Sequence, residues 1–221
     1  MQRVPEPEYM DIDEEAAAYA NADFNEVNAA FVNSLLEFVG PGNDSYMLDL
    51  GSGPGDIPRR ISEARPDWRI VGIDASMPML RRAAARRAPP KTRAHLWYVL
   101  CDAKRLPFPS QSCDIVVSNS ILHHLEDTVT FWKEVERVMR PGGRLFLRDL
   151  SRPADKAEAA RVVDKYSGNE TALLKEEFYR SLLAAYTPDE VRSQLNDADL
   201  TGMRVARVTD RHLDVWGTLS R

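Results

Sequence analysis

The chain has 221 residues, 43% hydrophobic and 29% charged, with a formal net charge of −5. That length and apolar content suffice for one sizeable core, and no run approaches the ~18 consecutive apolar residues of a membrane helix. The acidic balance argues against bulk nucleic-acid binding, so no nucleic-acid or membrane partner is expected. Two cysteines, Cys101 and Cys113, are too few for a disulfide framework and lack metal-ligand spacing, so no metal is expected. The first residues, "MQRVPEPEYMDIDEE", carry no apolar signal region, and a reducing cytoplasm is the expected compartment.

The segment "DEEAAAYANADFNEVNAAFVNSLLEFVG" predicts one or two helices broken near Asn21 to Asn25. Strand and helix signals then alternate. "YMLDL" is a short buried strand, and "DIPRRISEARP" a helix stopped by Pro66. "WRIVGID" is a second strand, followed by a helix over "SMPMLRRAAARRA" with Ser76 as its N-cap and Pro78 in its first turn. Arg81, Arg82, Arg86 and Arg87 lie at helical spacing and predict a solvated outer face, with a phosphate-binding patch as the alternative. "HLWYVLCD" and "CDIVVSNS" are the third and fourth strands. A helix over "EDTVTFWKEVERVM" stops at "PGG", and "RLFLRDL" is the fifth strand. A largely helical stretch, 154–186, precedes a helix that restarts at Thr187-Pro188-Asp189. The close, "MRVARVTDRHLDVWGTLS", alternates apolar and polar residues across a break at Asp210-Arg211, the pattern of an antiparallel pair. Repeated strand–helix units specify an α/β fold with a mostly parallel sheet and helices on both faces.

Three strands in succession end in an acid: Asp49, Asp74 and Asp102. The first runs into Gly51, Ser52, Gly53 and Gly55, a G-x-G-x-G spacing. In open α/β sheets the carboxyl ends of the strands hold the ligand, and glycines there let backbone approach it closely. A dinucleotide diphosphate calls for G-x-G-x-x-G, and Asp49 would repel it. An acid in that place favours a ligand ammonium, Asp74 can accept from ribose hydroxyls, and Asp102 with Ala103 can meet an adenine amino group. S-adenosylmethionine is a cationic adenosine ligand of that kind.

Together "LDLGSGPGD", "VGIDAS", "CDAKRLPFPSQSCDIVVSN", "LHHLED" and "RVMRPGGRLFL" resemble the class I S-adenosylmethionine-dependent methyltransferases, in their small-molecule branch, over residues 45–150. The resemblance implies a Rossmann-like seven-stranded sheet of order 3-2-1-4-5-7-6, strand seven antiparallel, in a single domain. Residues 1–44 would form an N-terminal helical cover, 45–150 the cofactor-binding core, 151–200 a helical insert and 201–221 the closing hairpin. Asp49, Gly51, Ser52, Gly53 and Asn119 would line the methionyl part, Asp74, Ala75 and Ser76 the ribose, and Met77, Asp102 and Ala103 the adenine.

Methyl transfer from a sulfonium needs alignment, water exclusion and, for a protonated nucleophile, a base. His123 and His124 stand past the fourth strand, where they either touch the acceptor or pack and hydrogen-bond structurally; adjacent histidines are expected to point apart. Arg148 either clamps an acceptor carboxylate or pairs with Asp149 to hold its loop, and Arg152 follows it. Asp210, Arg211 and His212 read as a polar turn. Tyr9, Tyr19, Asp23 and Phe24 in the cover, and Tyr166, Phe178, Tyr179 and Tyr186 in the insert, either line a pocket or fill the core. The expected partner is a small-molecule acceptor with an O, N, S or C nucleophile. A non-catalytic cofactor-binding subunit and a nicotinamide-dependent oxidoreductase are the competing readings.

Overall fold

The computed structural model describes residues 1–7, 11–42, 44–86 and 95–220. Tyr9 and Arg87 lie outside them. The chain runs α1 (Asp13–Asn21), α2 (Asn25–Val39), β1 (Tyr46–Leu50), α3 (Asp56–Ala64), β2 (Arg69–Asp74), α4 (Met77–Ala85), β3 (His95–Leu100) and β4 (Cys113–Asn119). After a 3₁₀ turn at Leu122–His124 come α5 (Thr128–Val138), β5 (Met139–Leu150), α6 (Lys156–Ser167), α7 (Ala172–Ala184), α8 (Pro188–Asp197), β6 (Arg204–Arg207) and β7 (His212–Thr218). Seven strands form one sheet in the order β3-β2-β1-β4-β5-β7-β6, with β7 antiparallel to both of its neighbours.

Helix starts follow local chemistry. The Ser76 hydroxyl accepts from the Met79 N–H at 3.3 Å, and α8 opens with a reciprocal Thr187–Glu190 capping box behind Pro188. Two expectations shift. Residues 1–7 of the cover are not helical; they cross the insert, where the Val4 N–H donates to the Leu183 carbonyl and Arg3 to the carbonyls of Ala184, His123 and Leu125. And α5 stops at Val138, ahead of "PGG", which lies inside β5; that strand starts at Met139, with a register shift against β4 between Cys113 and Ile115.

Alternation along each strand divides the core. Leu48, Leu50, Val71, Val116, Leu145 and Leu147 meet Phe131, Trp132 and Val135 of α5 and Val191 and Leu195 of α8. Met47, Ile70, Ile115, Val117 and Phe146 meet Phe31 and Leu35 of α2 and Ile57 and Ile61 of α3. The buried Trp132 indole donates to Gln194 Oε1 at 3.1 Å, tying α5 to α8. Of the arginines expected on a solvated face, Arg81 is exposed, whereas Arg82 pairs with Asp13 at 3.0 Å and Arg86 donates to the Ala20 carbonyl, so these two fasten α1 to α4.

The turn after β1 is built for glycine. Gly55, φ +81, caps α3, and a Cβ there would run into the Tyr98 hydroxyl and sit 2.9 Å from the Ala83 Cβ. Gly53, φ +52, faces open space. Gly55→Ala should therefore cost about 2–3 kcal/mol, from the left-handed backbone plus the clash, against about 1 kcal/mol for Gly53→Ala. Equal losses in chemical denaturation of the two variants would refute the clash.

Candidate active site

The three strand-end acids share one edge because β1, β2 and β3 are parallel and in register: Asp49 opposes Gly72, and Asp74 opposes Leu100, two residues before Asp102. β7 runs the other way, so its start is delivered to the same edge, His212 opposite Leu150. A cavity of about 520 Å³ opens there, within the usual range for small-molecule sites. Gly51, Gly53, Asp74, Ala75, Ser76, Asp102, Ala103 and Asn119 line it. An adjoining recess of about 200 Å³ reaches Asp49 and Ser52 under Tyr19 and Phe24.

The acids differ in what they hold. Asp74 accepts the Gly53 and Ser76 N–H groups, one on each oxygen, at 2.8 Å. Asp102 accepts the Lys104 N–H at 2.8 Å. Asp49 is 1% exposed and its Oδ2 has no hydrogen-bond partner. Burial, with the charge of Asp74 added, pushes its carboxyl up to about 8. A buried carboxyl oxygen without a donor, in a recess large enough for a ligand, fits a ligand cation. The buried Ser52 hydroxyl beside it is also unpartnered.

Across the cavity lies an acid–base cluster. His123 Nδ1 is 2.5 Å from Asp149 Oδ1, and the Leu122 and Leu150 N–H groups complete the Asp149 carboxylate. His123 Nε2 lies 3.5 Å and His124 Nδ1 3.1 Å from Oε1 of Glu6, whose carboxylate also accepts from Ser181. Burial alone would lower His123, but the Asp149 carboxylate outweighs it and holds the imidazole above its ordinary pKa. His124, buried and beside His123, is pushed down to about 3 and stays neutral. The two rings do not point apart: their centroids are 4.1 Å from each other. With Glu6 they offer three possible metal-ligand atoms within 4.8 Å of one another, a cluster the sequence reading did not foresee.

The family of methyltransferase domains matches residues 48–147. A ubiquinone/menaquinone biosynthesis C-methyltransferase of Syntrophotalea carbinolica is 34% identical over 49% of this chain and 45% of its own. The 27-O-demethylrifamycin SV methyltransferase of Amycolatopsis mediterranei is 31% identical over 70% of this chain and 53% of its own. This chain thus spans about half the length of the curated relatives it matches. A methyltransferase structure from Aquifex aeolicus superposes with a TM-score of 0.69 at 17% identity, covering 94% of this chain and 98% of that one. A phosphoethanolamine N-methyltransferase of Haemonchus contortus, solved with S-adenosylhomocysteine, gives 0.69 at 18% identity over 94% and 57%. Residues 48–147 thus match the methyltransferase-domain family, and the chain shares the seven-stranded fold of these solved methyltransferases.

Within this methyltransferase fold several sequence expectations are corrected. Arg148 does not face the cavity. Side chains alternate along β5, so Arg148 points opposite to Asp149 and pairs with Asp214, its register partner in β7, at 2.6 and 2.7 Å. Asp149 is left to His123 rather than to Arg148. Met77, 42% exposed at the start of α4, is not part of the cavity lining; Met79, two residues on, is. Arg211 and His212 are not a peripheral turn but part of the cavity wall. Tyr19, Asp23 and Phe24 of the cover and Tyr166 and Phe178 of the insert also line it. Tyr186 instead donates to the Leu125 carbonyl under Arg3, Tyr179 joins the α6–α7 core, and Arg152 holds Glu190 and the Ala185 carbonyl. Glu6 had no signal in the sequence: 117 residues separate it from His123, and only the crossing of the N-terminal segment brings them together. Among the described residues no helix is long and apolar enough to cross a membrane.

Proposed function

We propose that this chain is an S-adenosylmethionine-dependent methyltransferase acting on a small-molecule acceptor, working as a single unit. The orphaned Asp49 oxygen carries the cofactor reading, because an isolated buried carboxylate is costly and an ammonium group relieves it. S-adenosylmethionine, when bound, supplies a methyl group on a sulfonium that leaves as a neutral thioether. Asp49, Gly51, Ser52, Gly53 and Asn119 would hold its amino-acid end, and Asp74, Ala75, Ser76, Asp102 and Ala103 its nucleoside.

The remaining wall belongs to the acceptor. Leu150, Leu174, Phe178 and Ile121 give it an apolar surface, which suits a small organic body and excludes water from the transfer. His123 lies in the cavity wall, and Asp149 fixes its ring with Nε2 towards Glu6. In its neutral form, above its raised pKa, the ring can take the proton of an acceptor hydroxyl, thiol or amine. The two cysteines, both free, suit a reducing cytoplasm.

Calorimetric titration with S-adenosylmethionine, S-adenosylhomocysteine and NAD tests the cofactor, and turnover over a panel of phenols, amines and thiols tests the activity. Micromolar binding of the first two without NAD is the expected result, with methylated product from at least one class. Binding of NAD alone would sink the reading; tight cofactor binding with no product from any class would leave a non-catalytic binding protein.

A further inference from the structure

Resting on that reading, we propose that the acceptor carries an anionic group, a carboxylate or a phosphate ester, and that Arg211 binds it at the end of the cavity formed by the insert. Arg211 stands just before β7, and its carbonyl accepts the Ser151 N–H at 2.8 Å, which pins it to the active edge of the sheet. Its guanidinium lies over Tyr166, with Cζ 3.6 Å from the ring centroid, and 5.6 Å from that of Phe178. Stacking uses the face of a guanidinium and leaves its edge donors free.

No carboxylate among the described residues lies within ion-pair distance of this half-buried cation. The adjacent acid is already engaged: Asp210 accepts from Tyr166 and from Lys165, both at 2.7 Å. Glu170 and Glu177 share the wall without reaching Arg211, and Arg180 takes Glu177 at 3.6 Å. His212 beside it is buried between cations and held neutral, so it adds no second positive charge. A preorganised fork of donors, short of a counterion and set beside Leu174 and Phe178 in the cavity wall, is the recognition element for a planar or tetrahedral oxyanion on an apolar body.

The test uses the full chain saturated with S-adenosylhomocysteine and titrated with benzoate, phenyl phosphate and benzamide by ligand-observed NMR. At least one anion should bind tenfold or more tighter than benzamide, and whichever does tells carboxylate from phosphate. Arg211→Met keeps the packing on Tyr166 and should abolish that preference while leaving the affinity for S-adenosylhomocysteine and the melting temperature unchanged. Arg211→Lys should restore it in part. Equal binding of benzamide and both anions to the unmutated chain overturns the proposal, as does an anion preference that survives Arg211→Met. Failure of S-adenosylhomocysteine to bind would count against the cofactor site instead, and the anion preference would then be read on the ligand-free chain.

Discussion

Asp49→Asn is expected to stabilise the empty protein and to weaken cofactor binding at the same time. The native carboxyl, pushed up to about 8 by burial and by Asp74, resists ionisation in the fold. An unfolded aspartate ionises near ~3.9, so the stability tied to the protonated group is fully present below that pH and is lost as pH rises towards 8. At pH 8.5 the empty fold therefore carries a destabilisation on the order of several kcal/mol that asparagine does not. Binding has the opposite sign. Removing one partner of a buried charge pair typically costs about 2–5 kcal/mol, so affinity for S-adenosylhomocysteine should drop on the order of 100-fold.

The proton balance adds a second signature. Near pH 7 Asp49 is mostly protonated in the empty site, so capture of an ammonium ion releases close to one proton. Affinity should climb between pH 6 and 8, until the ligand amine, with an α-amino pKa near ~7.8, begins to lose its own charge. Calorimetry in buffers of different ionisation enthalpy measures that proton directly. A variant less stable than the parent at pH 8.5, or proton release that persists in Asp49→Asn, would show that Asp49 is not the ammonium site.

Asp149→Ala should be the most damaging single change on the acceptor side. It strips the acceptor from three groups at once, the Leu122 and Leu150 N–H and His123 Nδ1, in a position 1% exposed. Loss on the order of 3–5 kcal/mol is expected, which lowers the melting point by roughly 6–20 °C in a chain of this size. Asp149→Asn is the milder probe, since its amide oxygen still accepts from backbone but its charge is gone. His123 should then fall below its ordinary pKa, readable by NMR titration, and turnover should drop about 10²- to 10⁴-fold.

The signs of the pH dependence follow from the same pair. Asp149 is held below the usual carboxylate range, where burial is outweighed by His123 and by backbone donors, so its contribution is lost as pH falls through its folded pKa. His123 is held above the ordinary imidazole value, so its contribution is lost as pH rises through that higher value. Between the two the ion pair is intact, and the melting temperature of the parent should be highest there. A flat profile from pH 4 to 8, unchanged by Asp149→Asn, would mean that no such pair forms.

Much of this molecule could be read along the chain, because its signals are local. Alternating apolar runs and caps marked the strands and helices, down to Ser76 and Thr187 at their helix starts. Register is set by the same alternation, so three acids closing three parallel strands had to reach one edge, and the glycines between them had to form a tight turn. The edge proposed to hold the cofactor therefore needed no knowledge of distant contacts.

The acceptor half was decided by tertiary structure. Which strand pairs opposite Arg148 and Asp149 depends on β7 arriving from later in the chain; that pairing gave Arg148 to Asp214, 66 residues on, and left Asp149 to His123. The approach of Glu6 to His123, and the stacking of Arg211 on Tyr166, come from segments whose local sequence has no preference for either contact. Periodicity specifies which residues face a core, whereas the partner of a buried charge is set by long-range packing that closes only when the whole chain has folded.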